Sequence, residues 1–480
     1  MTVVLTGRDL NRDQVMRVAR HREKVTLDAS AVEAMRRSRE IVEGALTRGD
    51  AVYGLSTGVG VLKRVGISGE SSAEFSRRLV RHHRVAAGAI APAEIARATM
   101  VRLANGFAGA SAGVRPELAE RLVSALNDGL EPRIRILGSI GQADLAPLAD
   151  LAAGLFADLA LAAGEGPAIV NNNSFSTGWA ALAVTDAGIL FDSMEAAGAL
   201  SLEAFAANSV MLHPAIGELR PYPGLRSALR RLRELLDGSF IWSPGTARNL
   251  QDPLSFRNLP HLHGVCRDTL DYADQQLGIE LNASQGNPVV VPAEERVISV
   301  ANFEILPLAS SLDFLRIVLA SALTAVCERV VKLLETTWSG LPTGLVPAAG
   351  TSEPGLAYLG IATQALAAEA RLLAQPVSFE LVSSAHAEGI EDRMTMAPLA
   401  ARRLAEMVDL GRRIVAAELV VAAQAVELRG LIPLGRGTSR VFDAVRETVA
   451  FLGAGDFVPE DLEPVGDRIG SGGLTGKDNG

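Results

Sequence analysis

The chain holds only two cysteines in 480 residues, Cys266 and Cys327, with no CxxC spacing. That supply excludes a disulfide framework and a structural zinc site, and two buried free thiols are expected. Aromatic residues make up 4% of the chain, so helix packing must rest on aliphatic and small side chains, which let long helices approach closely. No window reaches a run of uncharged apolar residues long enough to span a bilayer. The opening MTVVLTGRDLNRDQVMRVAR carries charge where a signal peptide needs an apolar core, so a cytoplasmic protein without a membrane partner is expected. Basic residues are scattered through a chain of net charge -9, and no stripe exists for a nucleic acid to follow.

What is present is helical periodicity, rich in Ala, Leu, Arg and Glu. Strand signals are confined to TVVLTG at the start, VTLD around Val25 and VYGLSTG around Tyr53. Long helical stretches begin at Leu306, Gly355 and Ala397, and their length predicts a bundle that neighbouring subunits complete. The expected fold is mainly all-α. Residues 1–190 form a smaller mixed N-terminal region, 191–468 a long-helix bundle, and 469–480 a disordered Gly-rich tail.

Polar islands interrupt this background at YGLSTGVG, GSIGQAD, VNNNSFSTG, NLQDPLSFRN and LNASQGNP. Helix packing does not need them, and buried polar groups need partners, so they read as one site built from distant segments. Three common signatures fail in context. Gly109-Ala110-Ser111-Ala112-Gly113 matches GxSxG, but a helical pattern precedes it where a hydrolase needs a strand. Gly58-Val59-Gly60 lacks the third glycine and the βαβ pattern of a dinucleotide site. His82-His83 and His261-Leu262-His263 lack the i, i+4 spacing of a helical metal pair, so no metal is expected.

Taken in order from Tyr53 to Met396, the islands resemble the aromatic amino acid lyase family of histidine, phenylalanine and tyrosine ammonia-lyases and aminomutases. Tyr53-Gly54-Leu55-Ser56-Thr57-Gly58-Val59-Gly60 is similar to the family's YGxNTGxG, and LVRHHRVAAG to its LxxSHAAG. VRPELAERLVSALNDGLEPRI followed by GSIG and DLAPLA is the strongest match, with VNNNSFSTG, QDPLSFRNLPHLHG, ELNASQGNP, ANFE, AAEARLLAQP and EGIEDRMTM completing the order. The resemblance implies a helical homotetramer of the ammonia-lyase type whose sites draw on several subunits. It also implies an electrophile, the methylidene-imidazolone group MIO, formed from an internal Ala-Ser-Gly between the glycine matching Gly141 and the aspartate matching Asp144.

Here only Gln142 and Ala143 stand between those two residues. MIO formation needs an unhindered glycine amide to attack a carbonyl two residues back, followed by dehydration of the intervening serine. The nearby Ser139 is followed by β-branched Ile140, a poor substitute for that glycine. No MIO, and hence no cofactor, is expected. Without it a β-proton is hardly acidic and ammonia leaves poorly.

The resemblance assigns Tyr53 as the catalytic base, a phenol whose pKa must be lowered to act near neutrality. His83 lies near the substrate, Asn171 and Gln251 are amides around the electrophile, and Phe303 is an apolar wall. Arg257 holds the substrate carboxylate, and Glu369 aligns with a carboxylate that influences amine handling. Departures cluster at the same place: Leu254, Arg393, Asn172, Asn173 and Gly286 replace the family's tyrosine, histidine, glycine, threonine and aspartate. Asp144 is expected to cap the helix that follows, with Pro147 in its first turn, so that the loop from Gly141 to Asp144 keeps an anion-stabilising character. The reading is a carbon-nitrogen lyase, or a related eliminating or isomerising enzyme, acting on a small carboxylate-bearing substrate with a more acidic proton or better leaving group than a plain amino acid. The alternative is an inactive homologue that binds a ligand or regulates a true lyase.

Overall fold

A computed structural model of the chain describes residues 2–60, 63–67, 69–347, 352–379 and 389–474. The order begins with strand β1 (Thr2–Leu5), helix α1 (Arg12–Ala19), β2 (Lys24–Leu27), α2 (Ala29–Arg48), α3 (Gly69–His82), β3 (Ala87–Ile90), α4 (Ala93–Ala108) and α5 (Pro116–Asp128). It continues with β4 (Arg135–Leu137), α6 (Leu145–Leu155), α7 (Glu165–Val170), α8 (Ser174–Phe205), α9 (Ala215–Leu219), α10 (Pro223–Leu235), α11 (Leu254–Arg257) and α12 (Leu259–Asn282). After β5 (Val289–Val291) and β6 (Arg296–Ile298) come α13 (Leu306–Leu334), α14 (Thr336–Ser339), α15 (Ala357–Leu373), α16 (Ala397–Arg429), α17 (Arg436–Arg446) and α18 (Glu463–Gly470). The chain is mainly α, and α13, α15 and α16 occupy the three stretches marked by helical periodicity.

The strands form three two-stranded ribbons: β1 with β2 in parallel, β3 with β4 and β5 with β6 antiparallel. Two of the expected strands are present as β1 and β2. The third is not: the segment around Tyr53 is a turn, because Leu55 and Ser56 both donate backbone hydrogen bonds to the Val52 carbonyl and Gly54 adopts φ +71°.

The residues group into two compact units. Unit 1 comprises Met1–Thr185, Ala273–Asp313 and Pro376–Arg402; unit 2 comprises Asp186–Tyr272, Phe314–Gln375 and Arg403–Gly480. The sequence suggests one division near residue 190. Each unit instead uses three separate stretches, because α8, α12, α13 and α16 are each long enough to begin in one unit and end in the other.

In unit 1 the core surrounds α4, whose residues from Ile95 to Leu103 are buried, charged ones included. Arg97 donates to the carbonyls of Val18 and Leu126, and Arg102 to those of Glu280 and Ala283. Both guanidinium groups are buried at 1% and 2% exposure and spend their donors on carbonyls that would otherwise lack partners. Small residues set the spacing as the aromatic shortage requires. A Cβ on Gly178 would lie 2.8 Å from the Ala98 carbonyl carbon, so α8 touches α4 only through glycine there.

Unit 2 contains a buried ion pair, Arg329 to Glu418 at 2.5 Å, with Ser201 donating to the same carboxylate at 2.8 Å. Cys266 and Cys327 are buried free thiols. The end of the chain is more ordered than its composition suggests: Val465, Ile469 and Leu474 are buried, and residues 475–480 of the expected tail lie outside the described residues. No helix among the described residues is long and apolar enough to cross a membrane.

Candidate active site

In unit 1 the site begins at the turn that carries Tyr53. The half-buried phenol oxygen accepts a hydrogen bond from the Gly60 amide at 2.9 Å, so the YGLSTGVG loop closes on its own first residue. Burial raises the Tyr53 pKa above its ordinary value, the Gly60 donor opposes this, and the negative charge of Glu391 adds to it. The lowering expected of a base is therefore absent, because one amide donor does not outweigh desolvation.

His83 follows α3 and is half-buried, its Nδ1 bonded to the Leu79 carbonyl at 2.8 Å. A carbonyl can only accept, so Nδ1 carries a proton and donates it there. Glu391 faces both groups: burial and Asp392 raise its pKa, while His83 lowers it. Tyr53, His83 and Glu391 thus form one electrostatically coupled set. The resemblance runs through EGIEDRMTM and marks Arg393 there but not Glu391; Glu388 of that segment lies outside the described residues.

The loop from Gly138 to Asp144 is held from below. The Gly141 carbonyl accepts from Thr395 Oγ1 at 2.8 Å and Asn173 Nδ2 at 3.1 Å, and the Met396 amide donates to the Ile140 carbonyl at 2.9 Å. Gly141 has φ +77°, and a Cβ there would meet Thr395 Oγ1 at 2.2 Å, so only glycine fits. Ala143 also has a positive φ, +62°, at a buried position, a strain of about 1–2 kcal/mol that the surrounding bonds must hold. Gln142 is buried and donates to Glu304 at 2.9 Å, which ties the loop to the turn carrying half-buried Phe303.

Asp144 departs from its expected role. It precedes α6 but makes no side-chain cap bond; its wholly buried carboxylate accepts instead from Ser139 Oγ at 2.8 Å and from the Ser176 amide and hydroxyl, each at 2.7 Å. Ser176 and Ser139 offer three donors together, and that outcompetes the open amides of the helix start. Burial raises the Asp144 pKa against these donors. Asp144 and Gln142 therefore fix the loop.

Asn171, at the end of α7, is half-buried and donates to the Asn287 carbonyl at 2.8 Å. Asn172 turns inward, accepting from the Ser174 amide and hydroxyl, while its carbonyl accepts from the Asp144 amide. The three asparagines are thus the frame of the loop. Unit 2 holds the remaining residues: Gln251, Leu254 and Arg257 are exposed on and just before α11, and Glu369 is exposed on α15. Among the described residues no group of three His, Cys, Asp or Glu side chains could hold a metal ion.

The family described as aromatic amino acid lyase matches residues 10–161 and 156–447 of this chain. A histidine ammonia-lyase of Symbiobacterium thermophilum is 32% identical over 500 residues, covering 99% of this chain and 98% of that protein. Among solved structures, ergothionase of Treponema denticola, an ergothioneine-degrading enzyme in complex with desmethyl-ergothioneine sulfonic acid, superposes with TM-score 0.92 at 28% identity, covering 99% of this chain and 100% of that one. A tyrosine aminomutase of Streptomyces globisporus does so with TM-score 0.92 at 28% identity, covering 99% and 98%.

Proposed function

The chain belongs to the aromatic amino acid lyase family, and from that premise we propose that it cleaves a carbon-nitrogen bond of a small, carboxylate-bearing amino-acid derivative without MIO. The observation that carries this is the loop itself. Between Gly141 and Asp144 it has neither serine nor glycine, Gln142 is spent on Glu304, and the hydroxyl of Ser139 is committed to Asp144 and to the Gly141 amide at 3.1 Å. These residues do not fit a group made by dehydrating a serine, and no step here runs through it.

Without an electrophile to activate the amine, the nitrogen must leave readily by itself. A quaternary ammonium does so: it departs as a neutral amine and needs no proton. Tyr53 as phenolate takes the β-proton, the carbon-carbon double bond forms, and the carbon-nitrogen electrons leave with the amine. Electrons and charge balance with a protonated Tyr53 and a neutral leaving group. By the family resemblance, Arg257 is the residue that holds the carboxylate by a bidentate pair, and Asn171, Gln251, Leu254, Phe303 and Glu369 are the other substrate-binding residues it assigns. The similarity to an ergothioneine-degrading enzyme supports this choice, since ergothioneine is a betaine of a histidine derivative.

The reading includes a cytoplasmic homotetramer. Exposed apolar side chains on the long helices of unit 2, Phe314 and Ile317 on α13 and Tyr358 and Ile361 on α15, are surface that neighbouring copies would cover.

The test incubates purified protein with ergothioneine, histidine, phenylalanine and tyrosine and measures trimethylamine and ammonia, with Tyr53→Phe as control. Trimethylamine from the betaine, abolished by the control, supports the reading. Ammonia from a plain amino acid overturns the MIO-free account, and no turnover of any substrate favours the inactive, ligand-binding homologue.

A further inference from the structure

Unit 2 carries a cavity that the proposed elimination does not use. It has a volume of about 690 Å³ and lies along α10, with Pro214, Gly217 and Glu218 on its other wall and buried Leu229 in its floor. That volume is in the range of small-molecule sites.

Arg226, Arg230 and Arg233 all line it. At spacings of four and seven residues they share one face of α10, spread over about 10 Å of helix axis. Two are fixed by main-chain oxygens, not by acids. Arg226 Nε donates to the Gly217 carbonyl at 3.0 Å, and Arg233 Nη1 to the Leu212 carbonyl at 3.3 Å while its guanidinium lies 5.0 Å over the Trp242 ring. Among the described residues no carboxylate lies within ion-pair distance of either, whereas Arg231, their neighbour on the helix, is paired with Glu195 at 3.0 Å. The acids of the cavity are partly spent: Asp237 pairs with Arg436, and Glu234 stands 3.9 Å from Arg230. Glu218 keeps its charge open among the described residues.

We propose that this cavity is a binding site for a small organic anion, whose carboxylate or phosphate groups take the unspent guanidinium donors of Arg226 and Arg233. A carbonyl partner holds each fork in place without neutralising it, which is the preorganisation an oxyanion needs. Glu218 disfavours a bare inorganic anion and favours one that also presents a hydroxyl or ammonium group to it. The site lies apart in sequence from Arg257 and holds its ligand by charge.

Isothermal titration of the full chain with citrate and with AMP separates the two chemistries. One of them should bind once per chain, weaken as salt rises, and lose at least tenfold in affinity in the Arg226→Gln/Arg233→Gln variant. Arg230→Gln, at an exposed residue without main-chain contact, should weaken it with unchanged thermal unfolding, and Arg257→Gln should leave it intact. Failure of both probes to bind, equal binding by Arg230→Gln and the double variant, or loss of binding with Arg257→Gln overturns the assignment.

Discussion

Thr395 Oγ1 donates a hydrogen bond to the carbonyl of Gly141 at 2.8 Å, joining residues 254 positions apart. With Asn173 it fixes the carbonyl at the head of a loop that, by the resemblance, is one residue shorter than its family counterpart. Thr395→Val keeps the shape and removes the donor. It should cost about 1 kcal/mol in denaturant unfolding and lower kcat at nearly constant KM. An unchanged kcat would show that the loop needs no such anchor.

On the proposed reading, Tyr53 sets the pH dependence. Its pKa is raised by burial and by Glu391, so the phenolate is scarce at neutrality and activity should climb with pH well past it. Glu391→Gln removes the nearby negative charge, lowers the Tyr53 pKa and should move that limb to lower pH. A kcat/KM profile that is flat above neutrality, or a limb shifted upward by Glu391→Gln, would contradict Tyr53 as the base.

Asp144 offers a stability test. Burial raises its folded pKa above the unfolded value, so the folded state binds this proton more tightly. The resulting contribution is complete below about 3.9, the unfolded carboxylate value, and is lost as pH rises through the folded pKa. Asp144→Asn cannot ionise. Its stability relative to the parent should therefore improve as pH increases across that window, and a difference that falls with pH would be inconsistent with the buried carboxylate.

Light scattering on the eluted protein should give four copies per particle. A monomer at working concentration would leave Phe314, Ile317, Tyr358 and Ile361 facing water and would remove the homotetramer from the reading.

The long helices were legible because α13, α15 and α16 keep one apolar period over many turns. The turn at Tyr53 was not, since VYGLSTG has the β-branched and aromatic content of a strand, and only the left-handed Gly54 and the bonds to Val52 turn it over. Asp144 ahead of Leu145-Ala146-Pro147 reads locally as a helix cap, but Ser176, distant in sequence, claims its carboxylate. Thr395, Glu304 and Glu391 lie in the segments EGIEDRMTM and ANFE that the resemblance marks, but nothing local gives their roles. Their partners lie far along the chain, so their roles appear only in three dimensions. The family resemblance located the loop; what holds it came from packing.

The central claim is that the enzyme works without MIO, and intact-mass spectrometry of catalytically active protein tests it most directly. The account predicts the mass of the unmodified 480-residue chain. A mass lower by the water lost in cyclisation and dehydration, localised by peptide mapping between Gly138 and Asp144, would contradict it.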